Sequence, residues 1–259
     1  MRLTFLGTGT SFGVPQVGCA CAVCRSSDPR DRRTRIAALV EGSGTRLLID
    51  TPPELRLQLL AAGVSQVDAV LFTHDHADHT HGIDDVRPLS VRGGALPMYG
   101  PSETLAALRL RFPYVFDAAM KPIPGTSKPE GSTHALEAGV TTRIGAIDVT
   151  PVDVPHGRAR VFGYRLGPLA FVTDAKALPS EAVAVLRGAK VLVLNALFRR
   201  AHPTHLSVAE AVAAAREVGA ERTYLIHLTH ETAHADLEAE LPPDIRPAFD
   251  GLTVEIPDA

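Results

Sequence analysis

The stretch from Val70 to Gly82, VLFTHDHADHTHG, restricts this chain more than any other. His74, Asp75, His76, Asp78 and His79 place five metal- or proton-binding side chains within six positions, directly after an apolar run of strand character. Imidazoles two residues apart share a direction only on extended backbone. His74 and His76 therefore face one point, while Asp78 and His79 turn toward a second. That layout suits two divalent cations in one pocket. Cations about 3.5–4 Å apart can activate water and clamp a phosphoryl or acyl oxygen during hydrolysis. The alternative, a polar loop that happens to follow a buried strand, leaves this density of ligands unexplained.

The pattern H-x-H-x-D-H, carried by His74, His76, Asp78 and His79, resembles the signature of the metallo-β-lactamase superfamily. The resemblance implies an α/β fold, the four-layer αβ/βα sandwich, whose members are mostly hydrolases with two metals. A chain of 259 residues with 45% hydrophobic content can bury one sizeable core, and residues 1–259 are expected to form a single domain. Formal net charge is −3, which offers no bulk attraction to nucleic acid or an anionic membrane. Arg2 to Leu6 already read as a strand, so no cleavable leader is expected, and no apolar run has the length of a membrane span. The expected location is the cytoplasm.

In chain order, the run Gly7, Thr8, Gly9, Thr10, Ser11 follows the first strand. It lacks the pattern of a P-loop or a dinucleotide site, and reads as a tight turn at the pocket floor. Cys19, Cys21 and Cys24 are all the cysteines of the chain. Three thiols in a reducing compartment point to metal rather than disulfides, and a closed zinc tetrahedron needs a fourth ligand from elsewhere. Residues 36–41 and 45–49 read as a hairpin. Thr51 and Glu54 have capping-box spacing before a helix with Leu55, Leu59 and Leu60 on its apolar face. Arg87 is read two ways, as a phosphate contact or as the partner of Asp84 or Asp85. Residues 102–112 read as a helix, and residues 113–132, rich in proline and glycine, as a long loop with His134 just beyond, outside the site.

His156 and Asp174 each stand at the carboxyl end of an apolar strand, as His74 does, and such ends are where open sheets collect their sites. Residues 191–194 form a further strand. His205 follows, just before a helix opened by the capping box of Ser207 and Glu210, and helix starts favour anions. The strand over 222–226 runs into His227 and His230, whose imidazoles are expected to diverge and serve different metals.

Taken together, G-T-G-T-S-x-G-V-P, C-x-C-x-x-C, H-x-H-x-D-H, H-P-T-H-L-S and H-L-T-H in this order resemble the PhnP branch, whose named member is a phosphodiesterase that opens a phosphoribosyl cyclic phosphate. The resemblance extends from Leu3 to Gly251. It implies His74, His76 and His156 on one metal, Asp78, His79 and His227 on a second, and Asp174 bridging them. It also implies a structural zinc on Cys19, Cys21, Cys24 and His230, and a catalytic role for His205. In the expected reaction water attacks phosphorus in line, Asp78 helps to orient it, and His205 protonates the departing oxygen. The ligand set suits Mn²⁺ or Zn²⁺ at the paired site. The expected partner is a small phosphodiester, with no nucleic acid and no membrane, and a homodimer is left open. Rival readings are a tRNA 3′-processing nuclease, disfavoured by a candidate flap with only Lys121 and Lys128 against Glu130; a thioesterase or lactamase; and a non-hydrolytic member of the fold. An oxidoreductase would resemble H-x-E-x-D-H, where this chain has His76.

Overall fold

Strands that are apolar at every position need cover on both faces, and the middle of each sheet here is built from such strands. In β10 (Leu169–Val172), Leu169 and Phe171 point into one apolar core while Ala170 and Val172 point into another. β11 (Val191–Asn195) divides Val191 and Val193 from Leu192 and Leu194 in the same way. The period of two thus dictates a sheet sandwiched between layers.

A computed structural model describes residues 1–257. Its first sheet comprises β1 (Arg2–Gly7), β2 (Ala37–Gly42), β3 (Thr45–Ile49), β4 (Ala69–Leu71), β5 (Leu96–Gly100) and β6 (Gly131–Ala135) in sequence order, with β14 (Thr253–Glu255) outside β1. The second runs β13 (Ile245–Pro247), β12 (Arg222–Ile226), β11, β10, β9 (Ala159–Leu166), β8 (Ile147–His156), β7 (Thr142–Ile144). The sheets face each other across a core that includes Phe5, Leu47 and Leu71 from the first and Tyr164, Phe171, Val193 and Ile226 from the second. Helices α1 (Leu55–Ala61), α3 (Arg87–Gly93), α4 (Ser102–Arg111) and α5 (Pro113–Phe116) cover the first sheet around Leu48, Val70 and Met98. Helices α6 (Ser180–Leu186), α7 (Val208–Val218) and α8 (His234–Glu240) cover the second around Leu192, Leu194 and Leu225. A single helical turn, α2 (Ala77–Thr80), lies at the end of β4. The result is the αβ/βα sandwich. No helix among the described residues is long and apolar enough to cross a membrane.

Three local expectations change. The capping box at Thr51 does not form: Glu54 holds the cap position of α1 without a side-chain cap bond and pairs with Arg35. Thr51 is buried, and its hydroxyl instead donates to Thr80 O at 3.2 Å, satisfying a carbonyl at the end of the histidine cluster. The second box does form, with Ser207 and Glu210 bonded reciprocally at the start of α7. The glycine run after β1 is a close passage more than a turn. A Cβ on Gly7 would lie 1.9 Å from Arg35 O, and one on Gly9 2.7 Å from Arg33 O. The turn itself comes at Ser11 and Phe12, closed by Gly13 N donating to Thr10 O. Within the expected loop over 113–132, the first residues form α5, and β6 begins at Gly131 and pairs parallel with β5. His134 lies on β6, stacked on Tyr99 with ring centroids 4.8 Å apart, away from the other histidines. Of the two readings of Arg87, the ion pair is the one formed, at 2.6 Å from Asp84.

Candidate metal centre

Both sheets end their central strands at one rim, and the polar side chains there have nowhere to go but toward each other. From the first sheet, His74 follows β4 and α2 presents Asp78 and His79. From the second come His156 at the end of β8, Asp174 just past β10, His205 ahead of α7 and His227 directly after β12. Donor atoms of His74, His76, His156 and Asp174 lie within 4.8 Å of one another, as do those of Asp78, His79 and His227, and those of Asp174, His205 and His227.

Asp174 stands at the middle. Its Oδ2 faces His205 Nε2 at 3.3 Å, His156 Nε2 at 3.8 Å and His74 Nε2 at 3.9 Å. Its Oδ1 faces His79 Nε2 and His227 Nε2, each at 3.5 Å. One carboxylate thus addresses both groups of imidazoles. Burial would push its carboxyl up, but His227, His79, His205 and His74 hold it well below the ordinary range, so it is an anion.

The outward nitrogens of the rings are fixed by what binds their inner ones. His79 Nδ1 donates to Asp50 Oδ2 at 2.7 Å. Thr73 Oγ1 gives its proton to Asp50 Oδ2 at 2.8 Å and so accepts from His74 Nδ1 at 3.0 Å. Thr204 O receives His156 Nδ1 at 3.0 Å. Each ring therefore turns Nε2 to the centre, the usual arrangement for an imidazole metal ligand. Asn195, fully buried at the end of β11, clasps the backbone of Ala175 through both amide atoms, at 2.8 and 3.0 Å, and holds the chain just past Asp174. Asp50 and Asn195 carried no assignment from sequence. Both end apolar strands, the position that drew attention to His156 and Asp174, so the signal for them was present.

Buried Nε2 atoms of His74 and His79, and both ring nitrogens of His227, have no hydrogen-bond partner. Leaving such groups unsatisfied is costly, and divalent cations at the centre of this donor set would engage the three Nε2 atoms, those of His74, His79 and His227. Electrostatics agree. Burial disfavours a charged His79, yet Asp174, Asp50 and Asp78 raise it to about 10, the mark of a strongly anionic setting. His74 and His227 are pushed down by burial, His227 to about 4, leaving neutral rings able to ligate.

A second donor group lies apart. Cys19, Cys21, Cys24 and His230 bring their ligand atoms within 4.8 Å of one another, and the cysteines are free. His230 Nδ1 is 3.2 Å from Cys19 Sγ and 3.5 Å from Cys21 Sγ. Cys24 N donates to Cys21 Sγ, which lowers that thiol to about 6, while burial raises Cys24 to about 11. His227 and His230 thus diverge into two clusters.

A cleft of about 330 Å³ opens beside the centre, lined by His205 and His227 and, farther out, by Phe12 and Phe198. A larger groove of about 670 Å³ between α1 and β1 includes none of the clustered donors. Its position argues against a part in chemistry at the rim.

A family profile described as the beta-lactamase superfamily domain matches residues 45–228. An octanoyltransferase of Porphyromonas gingivalis is 39% identical over 97% of this chain, but the chain spans only 51% of that protein's length. A ribonuclease Z of Methanopyrus kandleri is 30% identical, with 88% of this chain and 94% of that protein covered. Among solved structures, a diphosphatase from the PhnP family is 39% identical and superposes with a TM-score of 0.90, covering 99% of this chain and 98% of its own. With one family matched across most of its length and a full-length neighbour that shares its fold, this chain belongs to the metallo-β-lactamase superfamily and is a PhnP-like member of it.

Proposed function

We propose that the protein is a metal-dependent hydrolase acting at phosphorus, on a small phosphodiester such as a phosphoribosyl cyclic phosphate or on a related diphosphate. The observation that carries this reading is the position of Asp174, whose two oxygens face two groups of imidazoles with partnerless buried nitrogens. His74, His76 and His156 would hold one cation, Asp78, His79 and His227 another, with Asp174 shared. When bound, divalent cations there supply Lewis-acid polarisation of the phosphoryl oxygens and lower the pKa of attacking water. Manganese and zinc both suit the mixed nitrogen and oxygen donors.

The chain's own residues do the rest. His205, with Nδ1 against Thr204 Oγ1 at 2.8 Å, points Nε2 at the centre and would hydrogen-bond the phosphate and hand a proton to the leaving oxygen. Asp78, only partly buried beside exposed His76, would orient the attacking water. Cys19, Cys21, Cys24 and His230 would hold a structural zinc with no open coordination position. A single-domain, cytoplasmic enzyme without a nucleic-acid or membrane partner completes the reading. The likeness to ribonuclease Z favours chemistry at phosphorus. An RNA substrate lacks support, because net charge is −3 and Lys128 is spent on Glu130 at 3.7 Å.

The test is a panel: bis(p-nitrophenyl) phosphate, a cyclic ribose phosphate, a nucleoside-bearing diphosphate, a chromogenic lactam, an acyl thioester and a precursor tRNA, each with added Mn²⁺ or Zn²⁺. Turnover of the small phosphate compounds well above the others is expected. Faster turnover of the lactam, the thioester or the tRNA would overturn the assignment.

A further inference from the structure

Metal ligands alone leave the walls of the neighbouring cleft unexplained. Phe12 is 66% exposed, although a ring of that size gains by burial. It comes from the turn after β1. Phe198 comes from the opposite sheet, in the segment after β11, and lines the same cleft. Phe198 is held in place: the guanidinium of Arg200 lies over its ring, 3.8 Å from the centroid, and Arg200 is itself paired with Glu231.

Between Phe198 and the centre the rings form a continuous row. His202 is 5.7 Å from Phe198, His205 is 5.2 Å from His202, and His227 is 4.6 Å from His205, centroid to centroid. A substrate whose phosphorus sits against Asp174 and His205 would lay its far end along this row, between Phe198 and Phe12. The polar residues Thr10, Gln16 and Thr229 line the same space. Rings set among hydrogen-bonding groups match a flat group with a polar edge better than a flexible alkyl chain, which gains nothing from stacking. We propose that this cleft is a base subsite: the substrate carries a nucleobase or similar heteroaromatic ring, and Phe198 and Phe12 select for it.

This rests on the phosphate chemistry proposed above, and the experiment separates the two. Metal-loaded protein is titrated calorimetrically with adenosine 5′-monophosphate and with ribose 5-phosphate, and kcat/KM is measured on adenosine 2′,3′-cyclic phosphate and on a ring-free cyclic ribose phosphate. Wild type should favour the ring-bearing member of each pair, and Phe198→Leu, which keeps apolar volume but removes the ring, should cut that preference about tenfold, as expected for loss of one stacking contact. Phe12→Leu, at an exposed site where folding is not at stake, should cut it in the same direction. An unchanged ratio in both variants, or no preference in wild type, overturns the base subsite. Absence of turnover on every phosphate, with the binding preference intact, would overturn the reaction and leave the subsite standing.

Discussion

Asp50, Asp174 and His227 share a backbone feature that side-chain chemistry alone would not reveal: all three have positive φ, at 60°, 56° and 60°. A residue other than glycine pays about 1–3 kcal/mol for such a conformation. Here it turns each side chain off the end of its strand and into the rim. Asp50 does this without being a candidate ligand. Its carboxylate accepts from Thr73 N and Thr73 Oγ1, both at 2.8 Å, and from His79 Nδ1 at 2.7 Å. It therefore sets the direction of the loop and of two imidazoles at once. Asp50→Asn should keep the fold by circular dichroism yet weaken metal binding by about 10–100-fold, the usual cost of removing such a partner. Metal affinity measured by competition with a chelator checks this; wild-type affinity would show that Asp50 serves packing alone.

At the scale of elements, the glycine passage, the cysteine loop and the segment after β12 form one layered unit. Leu228 N donates to Thr8 O, so the passage after β1 holds the strand end that presents His227. Fully buried Arg33 donates to Thr229 O at 2.6 Å and Thr232 O at 3.1 Å, bracketing His230 from inside. The cysteine cluster closes the same segment from outside. Cys21→Ser should therefore lose one tightly bound zinc and much thermal stability, because filling such a site is coupled to folding, while activity on bis(p-nitrophenyl) phosphate persists at low temperature. Metal analysis with a melting curve decides it. A variant that keeps its full zinc content and melting temperature would reduce the motif to a turn.

For the molecule as a whole, the decisive fact is that the clustered donors come from both sheets, so a cation bound there adds a tie between two halves that already share the apolar core and bridging hydrogen bonds such as Leu228 N to Thr8 O. Removing metal with a chelator should lower the melting temperature by about 10 °C, the shift expected when a ligand at a thousand times its Kd is withdrawn from a chain of this size. Hydrogen exchange should rise at the strand ends on both sheets and little in the core strands; a melting curve indifferent to chelator would refute the coupling. Much of this architecture was legible locally. The strands over 169–172 and 222–226 and the cap at Ser207 follow from periodicity and capping chemistry, which depend on neighbours in sequence. The crowding of histidine and aspartate after Phe72 likewise announced a ligand-rich loop before any fold was known. Partners distant in the chain could not be read that way. Thr51 gave up its cap to a carbonyl 29 residues away, and Asp50 meets His79 across the same interval. Phe12 and Phe198 share a cleft only because the two sheets bring their loops to one rim. Local sequence determines which groups a strand end offers, since that depends on period and polarity; which of them meet depends on how two sheets close over a common core, a long-range packing that no short window contains.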